Sequence, residues 1–192
     1  AYEDDIGTYL VKVAALSLSD ADSRRTGRML HSIGNFERLG DHALNLLETA
    51  KEIKDKSIVF SDAAYKELTV LTDALIEIIT ITVDAYSAND VATAARVEPL
   101  EQVIDRLTEK VRKRHIDRLK AGECTIELGF ILSDILNNIE RISDHCSNIA
   151  VCFIETANDS FEVHEYLNRV KAGEETDFAK MYEQYKMKYY ME

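Results

Sequence analysis

Two stretches of this chain set acidic side chains one helical turn apart inside nearly the same polar string. Residues 35–45 read Asn-Phe-Glu-Arg-Leu-Gly-Asp-His-Ala-Leu-Asn, and residues 138–148 read Asn-Ile-Glu-Arg-Ile-Ser-Asp-His-Cys-Ser-Asn. The offset is 103 throughout, and six of the eleven positions are identical, all of them polar or charged. Duplicated helices that only need to pack would keep their apolar stripe and let polar positions drift. Polar identity that outlasts duplication points instead to chemistry. Glu37 and Asp41 are four residues apart, as are Glu140 and Asp144. On a helix each pair projects side by side. Adjacent carboxylates repel unless something positive lies between them. A cation bridging both is one remedy, and a neighbouring Arg or Lys is the other.

Glu101 and Asp105 repeat the spacing just upstream of the second string. If their helix packs antiparallel on the helix of Glu140 and Asp144, four carboxylates converge from two helices, the logic of a bundle-core metal site. In the first half Asp4 matches Asp105, because Ile6 and Leu10 follow it as Leu107 and Val111 follow Asp105. The acid that would match Glu101 falls before Ala1, so the first-half site is expected to be incomplete. The metal-ligand candidates are therefore Glu37, Asp41, Glu101, Asp105, Glu140, Asp144 and Asp4. Carboxylate oxygens suit hard cations such as magnesium, manganese or ferric iron, and zinc is tolerated. His42 and His145 adjoin the aspartates and are either ligands or structural hydrogen-bond partners. Arg38 and Arg141 point about a quarter turn from the glutamates and are expected to pair with acids on a neighbouring helix.

The elements that carry these residues are helices. Apolar residues recur at helical spacing over 4–18, then to about residue 54, from Ser61-Asp62 to about 87–90, over 91–120, and over 125–156. Pro99 lies inside the fourth pattern and predicts a kink or a boundary there. A break at 158–160 precedes a sixth helical region, interrupted at 171–173, with a final aromatic helix. Its stripe of Phe178, Met181, Tyr182, Tyr185 and Tyr189 is expected to dock as core. Long helices with short loops imply antiparallel bundles. The repeat implies three helices twice, with residues 1–88 as the first unit, its N-terminal helix truncated, and 89–192 as the second.

Composition narrows the class. The 192 residues include one proline and seven glycines, which favours long helices. Twenty-three basic residues against 35 acidic ones give a net charge of −12, and nucleic acid is set aside as a partner. The three cysteines, Cys124, Cys146 and Cys152, show no CxxC spacing and read as reduced thiols, the last two as small core hydrophobes. No segment reads as a membrane span or a signal peptide. The chain opens in what reads as helix interior, as an excised piece of a longer, membrane-spanning protein would. The basic cluster from Lys110 to Lys120 reads as a favourable helix C-terminus.

These residues resemble the PhoU family. The repeated Glu-Arg-x-x-Asp-His block is similar to that family's E(D)xxxD signature, present as Glu37/Asp41, Glu101/Asp105 and Glu140/Asp144, and the resemblance runs over about residues 2–156. Glu98-Pro99-Leu100-Glu101, followed by Ile104-Asp105, and the block from Glu140 to Asn148 are most similar to the PhoU-like C-terminal domain of sodium/phosphate cotransporter-like membrane proteins. The resemblance implies two three-helix bundles side by side, iron or zinc clusters held by the carboxylates, and a non-enzymatic role in phosphate homeostasis. The expected location is cytoplasmic, tethered to the inner face of the plasma membrane. The expected partner is the transporter portion of the same polypeptide or the phosphate-uptake machinery, and self-association is compatible with it. A stand-alone signalling adaptor is the near alternative. A di-metal carboxylate enzyme is the alternative from another class. Such enzymes use Glu-x-x-His pairs, and no histidine here has a glutamate three residues before it.

Overall fold

The computed structural model describes residues 2–157 and 176–191, and every regular element in them is helical. The elements are α1 (Tyr2–Ala14), α2 (Asp20–Asp55), α3 (Asp62–Ala88), the single turn α4 (Val91–Ala94), α5 (Val97–Lys120), α6 (Ile126–Ala157) and α7 (Thr176–Lys188). The all-α reading of the sequence is what the chain adopts. No described helix is long and apolar enough to cross a membrane. The interruption expected at 171–173 lies outside the described residues.

Local chemistry sets the boundaries. The Ser19 side chain takes the Asp22 N–H at the start of α2, and Ser61 takes the Ala64 N–H at the start of α3. Each satisfies a donor that the first helical turn leaves orphaned. Asn89 closes α3 in the left-handed conformation (φ 57°), which asparagine tolerates better than most residues. The chain does break near Pro99, but at Ala95–Arg96, between α4 and α5. Pro99 itself sits in the first turn of α5, where its missing N–H costs nothing. Gly122, at φ +74°, turns the chain after α5, and the Thr125 hydroxyl accepts the Leu128 N–H to start α6.

Helix α3 lies on α5 and α6, and α5 on α6, so these three form one bundle. Leu71, Ile78, Leu100, Ile104, Leu136 and Ile142 are essentially inaccessible inside it. Helix α2 packs mainly on α6 and α1. The consequence is visible position by position. Leu132, Leu136, Ile139, Ile142 and Ile149 of α6 are buried, while Met29, Ile33, Phe36, Leu39 and Leu46, their equivalents in α2, are only partly so. Helix α6 is enclosed by α2, α3 and α5, whereas α2 is covered along fewer of its faces. The aromatic helix α7 docks on α5 through Phe178, Tyr185 and Tyr189, all buried as its stripe predicts.

Candidate metal centre and the crossing of the repeats

Helices α5 and α6 run antiparallel through a short turn, and this brings the acids of both into one place. Glu101, Asp105 and Asp144 each offer an oxygen within 4.8 Å of the other two; Glu101 and Asp144 are half-buried and Asp105 is exposed. Three oxygen donors at that separation fit the first shell of a hard divalent or ferric ion, with water completing it. Without a cation, three carboxylates so close oppose one another.

The fourth acid is diverted. Glu140 accepts the Thr108 hydroxyl at 2.8 Å and the guanidinium of Arg112 at 3.2 Å. Arg112 also reaches Asn137 at 3.1 Å. An arginine from α5 thus neutralises the acid that stands one turn from Asp144. Arg141, expected to reach a neighbouring helix, instead approaches Asp144 of its own helix at 3.5 Å. That i,i+3 contact is available because both side chains are substantially exposed at the edge of α6.

The first-half acids are arranged differently. Glu37, Asp41 and Asp4 are exposed, and among the described residues they do not form a converging group.

The remaining identical residues of the repeat have a different role. Helices α2 and α6 cross antiparallel about a local two-fold axis. His42 Nδ1 lies 2.9 Å from Asn138 Oδ1, and His145 Nδ1 lies 2.9 Å from Asn35 Oδ1. The two imidazoles stack with centroids 5.6 Å apart and planes 24° apart. Each asparagine amide nitrogen donates to the carbonyl four residues back: Asn35 to His31 and Asn138 to Asp134. That turns each Oδ1 toward the partner helix, so each His Nδ1 carries the proton and donates it. Asn45 adds a second donor to Asn138 at 3.2 Å. Burial lowers the pKa of His145, the nearby His42, Arg38 and Arg141 charges act in the same sense, and Asp144 opposes them. The neutral ring is thus the form His145 favours in this crossing. Sequence reasoning missed this exchange of partners. The signal was present: 35 with 145 and 42 with 138 have the same sum, as an antiparallel crossing of two copies requires.

Other candidates resolve as ordinary structure. Glu67 is buried between Arg118, at 2.8 Å, and Arg114, at 3.2 Å, which accounts for part of the basic cluster on α5. Lys110 donates to the Met191 carbonyl. His115 is buried, with Cys124 Sγ 3.8 Å from its Nδ1. Cys146 is inaccessible, and burial pushes its thiol up to about 12, so it acts as a small hydrophobe.

The comparisons agree with this architecture. Residues 68–152, which cover most of α3, all of α4 and α5 and most of α6, match the family profile described as "PhoU domain". The phosphate-specific transport system accessory protein PhoU homolog 1 of Thermotoga maritima is 28% identical over 143 residues, covering 73% of this chain and 60% of that protein. The corresponding PhoU homolog of Deinococcus radiodurans is 22% identical over 151 residues, covering 78% of this chain and 70% of that protein. That of Zymomonas mobilis is 28% identical over 117 residues, covering 61% of this chain and 48% of that protein. The chain therefore spans between about half and 70% of the length of these relatives. No solved structure matches it. The bundle of α3, α5 and α6 is thus the part of the chain that matches the PhoU domain profile, and the chain is similar over part of its length to PhoU accessory proteins.

Proposed function

We propose that this chain is a non-enzymatic, metal-binding regulatory domain of phosphate uptake, acting on the phosphate-uptake machinery from the cytoplasmic side. The observation that carries the reading is the convergence of Glu101, Asp105 and Asp144 from two helices. A bound cation would remove the repulsion among them and brace α5 against α6, and loss of the cation would loosen the same contact. The metal's chemistry would then be structural and electrostatic. The residues that hold it are acceptors only, and no histidine or cysteine of a redox or hydrolytic site stands among them. Iron and zinc are the ions in view, with manganese the simplest probe for an all-oxygen set.

The named relatives are transport accessory proteins. This favours a stand-alone accessory regulator over the C-terminal domain of a sodium/phosphate cotransporter, which remains the second form of the same regulatory reading. Elemental analysis of the chain purified without chelator, beside the double variant Asp105→Asn/Asp144→Asn, tests the site. The wild type is expected to carry metal and the double variant to lose it. Equal metal content in the two would refute the assignment.

A further inference from the structure

A cavity of about 210 Å³ lies between α5 and α7. Sites for drug-sized ligands run to roughly 300–1,000 Å³, so this one suits a small ligand or a single group of a larger one. Val103 and Leu107 of α5 give it an apolar wall. Among the described residues the charged side chains that line it are all cations: Arg106 and Lys110 from α5 and Lys186 from α7. Arg106 and Lys110 are four residues apart, so they share one face of α5 and repel each other. Neither makes an ion pair with a carboxylate among the described residues. The Arg106 guanidinium lies over the Tyr182 ring, 5.0 Å from its centroid. Lys110 donates to the Met191 carbonyl, and its Nζ lies 5.3 Å from the Tyr190 centroid. Lys186 is offset by Glu183 at 2.9 Å. Burial and the Arg114 charge lower the pKa of Lys110, with Glu67 opposing them. Arg106 and Lys110 thus bring positive charge to the cavity that the fold leaves uncompensated.

Tyr182 adds an independent observation. It lines the cavity, and its hydroxyl is buried without a hydrogen-bond partner among the described residues. A buried polar group is costly to leave unpaired. The Tyr189 hydroxyl is already given to Glu77, and the Met191 carbonyl is already taken by Lys110. What remains around the cavity is a set of donors: a guanidinium, an ammonium and a phenol. A ligand that satisfies them is negatively charged and rich in acceptors. A phosphate group fits better than a carboxylate, because it offers three or more oxygens and close to two charges at neutral pH. We propose that this cavity binds a phosphate group, held by Arg106, Lys110 and the Tyr182 hydroxyl, with Val103 and Leu107 packing against any organic part. Free inorganic phosphate and the phosphate end of a small organic molecule share this chemistry. The carboxylate trio does not enter the argument, so the two sites stand or fall separately.

Isothermal titration calorimetry of the whole chain tests the proposal, in chelator so that no metal at the trio takes up phosphate. The probes are inorganic phosphate, phenyl phosphate and phenol. Phenyl phosphate is expected to bind and phenol is not. Equal affinity for inorganic phosphate assigns the cavity to the free anion, and binding of phenyl phosphate alone assigns it to an organic phosphate. Arg106→Gln with Lys110→Gln should weaken binding by about tenfold or more, and Tyr182→Phe by about threefold. Circular dichroism checks that each variant keeps its helices. The control pair Lys12→Gln/Lys66→Gln removes the same charge at exposed positions on α1 and α3 and should leave binding unchanged. Three outcomes would overturn the proposal: no binding of either phosphate, phenol bound as tightly as phenyl phosphate, or equal weakening by the control pair and the cavity pair.

Discussion

At the scale of single residues, the carboxylate trio predicts a metal-dependent difference. In excess manganese Asp105→Asn should be less stable than wild type, because it forgoes most of the metal's stabilisation. In chelator that difference should shrink. Thermal melts with and without metal check it. His145 supplies a pH dependence. Its pKa is depressed in the folded chain, so below the ordinary histidine value of about 6.5 the unfolded chain takes up the proton first. Stability should therefore fall as pH drops through about 6.5 toward the lower folded value, and level off beneath it. His145→Gln, which keeps a donor for Asn35 without a titrating ring, should flatten that part of the curve in denaturant titrations.

How much of the site could be read in advance also turns on single residues. The convergence of Glu101, Asp105 and Asp144 was legible, because i,i+4 spacing on two consecutive helices leaves few other arrangements. The diversion of Glu140 was not. Whether Arg112 or an ion faces Glu140 depends on the rotation of α5 about its own axis, and a modest rotation decides it. Arg141 turned to its own helix for a similar reason: exposed at the edge of α6, it found its nearest acid three residues on.

At the scale of elements, the lesson lies in α3. Chain order joins it to α2 through a short loop, so the sequence suggests that the two belong to one bundle. Its apolar face is nonetheless buried against α5 and α6. Periodicity identifies the stripe on a helix, and it does not say which neighbour covers that stripe. The helices themselves were legible because proline and glycine are scarce and the caps at Ser19 and Ser61 are of standard chemistry. One ion pair and one close approach inside the α3–α5–α6 bundle can be probed. Glu67→Ala leaves Arg118, which is largely buried, without its counter-charge. A loss of about 3 kcal/mol is expected in urea unfolding. Gly129 lets α6 approach α5 closely: a Cβ there would lie 2.9 Å from Nε2 of His115, which is packed in place. Gly129→Ala should push that ring aside and cost about 1–2 kcal/mol despite its better helix propensity.

At the scale of the whole molecule, α7 is held as a separate piece of cargo on α5. One polar tie is Glu77 of α3, which accepts from Lys188 at 2.7 Å and from the Tyr189 hydroxyl, with Arg96 at 4.0 Å, and Arg96 also donates to the Tyr185 hydroxyl. Burial alone would raise the pKa of Glu77, but the hydrogen bonds from Lys188 and Tyr189 and the charges of Lys188 and Arg96 prevail and hold it below the ordinary glutamate value. The tie is complete above the unfolded pKa of about 4.5 and is lost as pH falls through the lower folded value. Glu77→Gln should loosen α7 first. Limited proteolysis is expected to cut within α7 several times faster in the variant while the helices α2 to α6 stay intact.

The crossing of α2 and α6 has a further consequence for how this chain can change over generations. Neither copy of the repeated string is self-contained: the asparagine of one serves the histidine of the other. A substitution at residue 35 is therefore felt first at residue 145, and at residue 42 only through the stacked rings, although 42 is its near neighbour along the chain. Across related sequences, positions 35 and 145 should covary as one couple and 138 and 42 as another, so that each half of the duplication is held to its old spelling by its twin.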